Sequence, residues 1–298
     1  MNLLIIGLTD DGLTECRCIF PSSIRPSHVF SRPSFIIYCL LSLFFFSCQA
    51  PEEGCTDLAA SNFDVTALKN CTNCCTYPVM KIQAQYNWGS DSVPFNFNTK
   101  YLIGQDTIQF LSAQFYISEI ILTSATTGKQ ATVSDSISLY RATDTIMKPN
   151  YYGLIGKSTG FSYTFGHFTN FGQYTNITFK IGVDQEANKT IPKKMPSSSP
   201  FSFKADNNYD SLATTPSYIF HKIIFVKGVN YKDTVEIDIE TAKIFSTTCN
   251  LNFLSGFDAT IPLKIDYKQL LKSVNVTDSK PAIINQIASN YPYAFKVQ

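Results

Sequence analysis

Two histidines are the side chains with the most chemistry to offer. Beyond residue 47 the only imidazoles are His167 and His221, and a transition-metal site in an oxidising compartment would draw on them, with Met195 as a soft third ligand. His221 stands among Ile219, Phe220, Ile223 and Ile224; on a strand it shares a face with Ile219 and Ile223, so a buried or edge histidine competes with a ligand there. His167 follows Gly166 in an aromatic stretch, Phe161 to Phe171, where a solvated ring competes in the same way. Cys71, Cys74 and Cys75 form a C-x-x-C-C run that would bind a soft metal as thiolates and becomes disulfide where thiols are oxidised. Carboxylates occur in same-face sets, Asp184 with Glu186 and Glu236 with Asp238 and Glu240, which read as acid–base pairs or as a solvated strand face. Gly156-Lys-Ser-Thr-Gly160 matches G-x-S-x-G in letters only, since no helix pattern follows it as a nucleophile elbow requires, and no Gly-rich phosphate loop of the required spacing occurs. No catalytic residue is therefore assigned, and the chain is expected not to be an enzyme.

The elements that would carry these groups follow from composition. The chain has 298 residues with 24 Phe, 16 Tyr and only 16% charged residues at a net charge of +1. This is the profile of an aromatic-rich globular β protein. A nucleic-acid partner is excluded, because neutralising several phosphates needs a basic surface and Arg141 is the one arginine beyond residue 32.

Compartment is written near the start. Phe35 to Phe46 is an uncharged apolar run, too short for a bilayer span and preceded by Arg25 and Arg32, as in an export signal. It ends in Ser47-Cys48, which resembles a bacterial lipobox, where a small residue precedes a cysteine that is acylated. Residues 1–47 are therefore expected to be the export segment, 48–78 a Cys-rich tether with lipid on Cys48, and 79–298 the folded domain. The localisation that follows is the bacterial outer membrane, with the lipid anchor as membrane partner.

From Val79 onward, short β-branched and aromatic runs alternate with Gly, Asn, Asp and Thr clusters, which predicts an all-β fold, an immunoglobulin-like antiparallel β-sandwich. Tyr116 to Leu122, Asn176 to Val183 and Tyr218 to Val226 are its expected central strands. Pro281 at a first-turn position and Ile283, Ile284 and Ile287 on one face predict a short C-terminal helix. Lys189 to Ser202 reads as a long surface loop.

Two resemblances refine this reading. Gly54-Cys-Thr-Asp-Leu-Ala-Ala-Ser-Asn-Phe63, closing at Cys75-Thr-Tyr77, resembles a small calcium-loop-like module of bacterial surface proteins. Its acidic close is replaced by Cys71-Thr-Asn-Cys74, so a stapled spacer is expected. Cys55 is expected to pair with Cys75; Cys71 with Cys74, or Cys249 with one of them, remain open. Further on, Gln114 to Leu122, Tyr174 to Asp184 with Asn188, and Ser217 to Lys222 ending at Gly228 resemble three blocks of the MbnP-like family of exported bacterial proteins. That resemblance implies the sandwich fold and, at the level of the family, copper as cofactor; the metal residues that this chain's own histidines offer are His221 and, more weakly, His167. In the copper-binding member an oxidised Trp and His residues are tied to the metal. Here the corresponding Trp positions fall on Leu212 and Thr214, and the single Trp is Trp88. As a binding module of this type the sandwich would present a pocket near Tyr218 and the 189–202 loop; the alternative is a structural or surface-interaction lipoprotein without metal, whose Tyr- and Thr-rich loops contact glycan or another envelope protein.

Overall fold

The computed structural model describes residues 51–298 apart from 90–92, 98, 157–161, 204–207 and 229, together with a short pairing of Ile6–Gly7 with Thr14–Glu15. The apolar run before Ser47 and the lipobox Cys48 lie outside the described residues. Counting strands of three residues or more, the first half comprises β1 (Val79–Asn87), β2 (Lys100–Ile103), β3 (Asp106–Ser124), β4 (Ser136–Tyr140) and β5 (Thr145–Pro149). It continues with β6 (Gly153–Ile155), β7 (Ser162–His167), β8 (Gly172–Ile181) and the single-turn helix α1 (Gln185–Asn188). The second half holds β9 (His221–Lys227), β10 (Asp233–Ile239), β11 (Lys243–Phe253) and β12 (Ala259–Asp266). Helices α2 (Tyr267–Leu270) and α3 (Lys280–Ala294) and strand β13 (Phe295–Val297) close the chain. Among the described residues no helix is long and apolar enough to cross a membrane.

Two sheets make the sandwich. The larger runs β10-β9-β3-β8-β11, with β2 and β6 also pairing β3; the smaller runs β7-β1-β12-β13. The 19-residue β3 is the spine, and its apolar run from Phe115 to Leu122 is buried because other layers cover both its faces. A bulge at Glu119, where φ is +52°, breaks its register with β8 and aims the carboxylate at Lys180 Nζ, 2.5 Å away. In β1 the alternation is regular, with Met80, Ile82, Ala84 and Tyr86 buried and Gln83 and Gln85 exposed. The three expected central strands correspond to β3, to β8 with the two residues after it, and to β9 with the short segment before it.

Two features depart from the sequence reading. One pair in the small sheet is parallel: β12 runs alongside β1 from Ala259↔Met80 to Asp266↔Asn87. Most of the strands between them are spent on the larger sheet and β7 pairs the other flank of β1, so the late strand returns beside the first one in the same direction. The 189–202 segment, in turn, is not an open surface loop: it makes a 3₁₀ turn at Pro192–Lys194 and buries Pro192, Met195 and Phe201. The C-terminal helix forms as expected, with Ile283, Ile287 and Tyr291 buried in the main core.

Candidate functional site

His221 opens β9, paired with Phe115 on one side and Ile239 on the other. It is completely buried. Its Nδ1 lies 2.9 Å from the Tyr291 hydroxyl, and its ring meets those of Phe115, Tyr291 and Phe295 at 5.5, 5.7 and 6.4 Å. Among the described residues Nε2 has no hydrogen-bond partner. Desolvation in this aromatic enclosure pushes the imidazole pKa down to about 3, so the ring is neutral at physiological pH. Neutral imidazole is the metal-binding form, but one nitrogen does not make a site.

His167 lies at the end of β7 in the other sheet, opposite Val79, with half of its side chain in solvent. Its backbone N–H donates to Asp135 Oδ1 at 2.7 Å, and its Nδ1 is 3.7 Å from Asp135 Oδ2. Met195 is buried among Tyr, Phe and aliphatic side chains outside the main core. Thus the structure does not bring His221, His167 and Met195 together. The carboxylate pairs are also occupied. Asp184 caps α1 through Glu186 and Ala187 N–H and accepts the Tyr152 hydroxyl at 2.5 Å. Glu186 pairs with Arg141, whose guanidinium also binds Asp144 and so ties the β4–β5 hairpin to α1. Lys222 neutralises Glu236 and reaches Asp238.

The three sequence blocks singled out above converge, and what they build is a lock. Tyr116 from the first, Val183 and Ala187 from the second and Tyr218 from the third share a second apolar core with Phe201. The Tyr116, Phe201 and Tyr218 rings lie 5.1 to 5.7 Å apart. The Tyr116 N–H donates to the Phe220 carbonyl, Gly182 N–H to the Tyr116 carbonyl, and Tyr218 N–H to Asn188 Oδ1, each at 2.8 Å. Gly182 is required at its position, since φ is +111° and a Cβ there would lie 2.7 Å from the Phe220 ring. Where a pocket was expected between Tyr218 and the 189–202 loop there is packed aromatic core. Leu212 and Thr214, at the positions of the missing Trp pair, are exposed in a turn.

Upstream, residues 53–77 form a stapled module. Cys55 is bonded to Cys75 and Cys71 to Cys74; Cys249 is unpaired. The Sγ atoms of Cys71, Cys74 and Cys75 are the one cluster of three or more potential metal ligands among the described residues, and disulfides consume all three. Asp57 accepts the Ala59 N–H and the Tyr77 hydroxyl, and Asp64 accepts the Thr66 N–H and hydroxyl. Those bonds hold turns, in keeping with a spacer. The Cys55–Cys75 bridge spans a sequence separation of 20, which corresponds to about 3 kcal/mol of chain entropy. Replacing both cysteines with serine should accordingly raise amide hydrogen exchange across 55–75 on the order of a hundredfold. Exchange in β3 should stay unchanged; equal protection of the module in the variant and the parent would contradict the assignment.

Two partners escaped the sequence reading. Tyr291 follows Ile283 and Ile287 at four-residue steps, a signal that places it inward, yet nothing in sequence aims it at His221. Arg141 is conspicuous as the lone late arginine, but its pairing with Glu186 needs the hairpin geometry.

Compared with known proteins, a family model described as MbnP matches residues 77–287. The solved structure of MbnP from Methylosinus trichosporium is similar at 12% identity and a TM-score of 0.40, over 69% of this chain and 86% of that one. A search of curated proteins finds no match.

Proposed function

The chain belongs to the MbnP family, as the match over residues 77–287 establishes, and from that premise we propose that it is a noncatalytic, lipid-anchored protein of the bacterial outer membrane whose sandwich acts as an interaction module for an envelope protein or a glycan. Residues 1–47 direct export, acylated Cys48 anchors the chain, and the tether 48–78 carries the domain that follows. The observation that carries the reading is the lock formed by the three blocks: it fills with aromatic side chains the region where a ligand pocket would open, and it leaves the histidines apart.

Copper is the cofactor that the family resemblance implies, and the residues present do not fit it. His221 offers a single enclosed nitrogen, His167 stands in the other sheet beside Asp135, and the clustered thiols are paired with each other or with Cys55. A copper site needs several N or S donors converging on one point. The candidate carboxylates hold a helix cap, a hairpin and a strand face, which supports a noncatalytic reading.

Elemental analysis of protein purified from its native envelope, followed by copper titration, tests this function. Binding is expected to stay substoichiometric and to be the same in the wild type, His221→Gln and His167→Ala. Stoichiometric copper lost in either folded variant would replace the interaction reading with metal binding. Metabolic labelling with a fatty-acid probe tests the anchor: incorporation should disappear in Cys48→Ala, and equal labelling of both chains would remove it.

A further inference from the structure

The stapled module does not hang free of the sandwich. Ser255 Oγ donates to the Leu58 carbonyl, and Gly256, at φ +78°, passes so close that a Cβ would lie 3.1 Å from the Ala60 carbonyl oxygen. Just past the module, Phe168 N–H donates to the Pro78 carbonyl at 2.8 Å, and Val79 N–H to Asp258 Oδ1 at 2.9 Å. The module therefore seats on the end of the sandwich formed by the β7–β8 and β11–β12 turns.

That end is unusually apolar at its surface. Phe171, Leu254 and Phe257 line a shallow groove against Ala59, and they are 56%, 61% and 68% exposed. Leu58 beside them is 67% exposed. Leaving four large apolar side chains in water on adjoining turns has a cost that a partner removes. Asp258, at the edge of the patch, is neutralised by Lys81 at 2.5 Å, so it adds no net repulsion toward an anionic surface. Asn170 and Ser255 supply the polar rim.

The chain outside the described residues says what covers the patch. Seven residue steps separate Cys48 from Cys55, a reach of at most roughly 25 Å when fully extended. Cys55 is in turn fixed by its disulfide and by the Asp64 N–H donating to its carbonyl, three residues before Leu58. We propose that this end of the sandwich is a bilayer-docking surface: with lipid on Cys48 holding the chain, Leu58, Phe171, Leu254 and Phe257 enter the headgroup region of the same membrane. The inference rests on the lipid-anchor reading. It adds that the domain has a fixed orientation, with the module end down and the β4–β5 hairpin exposed to its surroundings, since docking of apolar and aromatic side chains at the interface restrains rotation about the tether.

The test uses the full chain, acylated in cells and reconstituted into vesicles of phosphatidylethanolamine and phosphatidylglycerol. Phe257→Trp is made in a Trp88→Phe background, both positions tolerating an aromatic exchange. The introduced indole should emit to the blue of its value in detergent-free Cys48→Ala protein and lose roughly twofold in intensity when the acyl chains are brominated, as insertion 5–10 Å deep requires. Adding Phe171→Ser and Leu254→Ser should abolish that quenching. Fatty-acid labelling of Cys48 with an unquenched, water-like indole would overturn docking and leave the anchor intact. Absence of labelling together with an unquenched indole would remove both. Dimerisation of the Cys48→Ala chain without lipid, abolished by Phe257→Ser, would overturn the proposal in favour of a second copy as the occupant.

Discussion

Lowering the pH from 7 to 4.5 is expected to remove about 2.5 kcal/mol of folding stability through His221 alone, the folded-state pKa being held near 3 against an unfolded value of 6.5. The folded state keeps the ring neutral because Phe115, Tyr291 and Phe295 surround it and no carboxylate is among its ring contacts or its hydrogen-bond partner. Below pH 6.5 the unfolded chain takes up a proton that the folded chain refuses, so stability is complete above the unfolded pKa and falls as the pH drops toward the folded one. The slope is about 1.4 kcal/mol per pH unit until the pH nears 3. Urea unfolding of the wild type and His221→Gln at pH 7 and 4.5 isolates the effect, since carboxylates elsewhere contribute equally to both. Identical losses in the two proteins would show that His221 is not enclosed as described.

Truncating Phe95 to alanine should cost about 4 kcal/mol, the range of a fully buried Phe→Ala change whose site cannot collapse. Phe95 has no exposed surface, and its ring centroid lies 4.3 Å from Tyr267, 4.9 Å from Phe110, 5.0 Å from Phe97 and 5.2 Å from Tyr101. These rings come from β2, β3, α2 and the turn after β1, so one side chain joins elements of both sheets. The edge-on and offset stacked geometries add to area burial. Phe95→Leu should lose less than half as much, because it keeps most of the volume while giving up the ring contacts. The midpoint of guanidinium unfolding at neutral pH measures both. A loss under about 1.5 kcal/mol for the alanine variant would mean that the neighbouring rings close the cavity.

The architecture was legible where a pattern is local. The continuous apolar run in β3 and the Pro281-led helix follow from period and propensity, and both formed. The parallel β1–β12 pair was not legible, because nothing in Ile261 to Tyr267 reveals which strand it will lie beside or in which direction. The 189–202 segment misled for a related reason: its prolines and serines look like loop, and its few apolar residues, Met195 and Phe201 among them, have a core only after Tyr116 and Tyr218 are brought together. The site was least legible. A pocket was expected near Tyr218 and the 189–202 loop, whereas the three family blocks meet there in packed core, and Asp184, Asn188 and Gly182 serve a helix cap, a backbone bridge and a close approach. Sequence spacing could not tell a ligand from a fastener.

The parallel placement of β12 beside β1 has a consequence for the order of assembly. Val79 and Asp258 bond across a separation of 179 residues, and β1 sits between β7 and β12 in the small sheet. As the chain is synthesised from its N-terminus, β1 is available early, with one flank lacking its partner until the closing segment is made. Contacts of such sequence distance form slowly, because the loop entropy must be met before they return anything. The strand that begins the domain is therefore also among the last to be enclosed, and the small sheet closes only once nearly all of the chain is available.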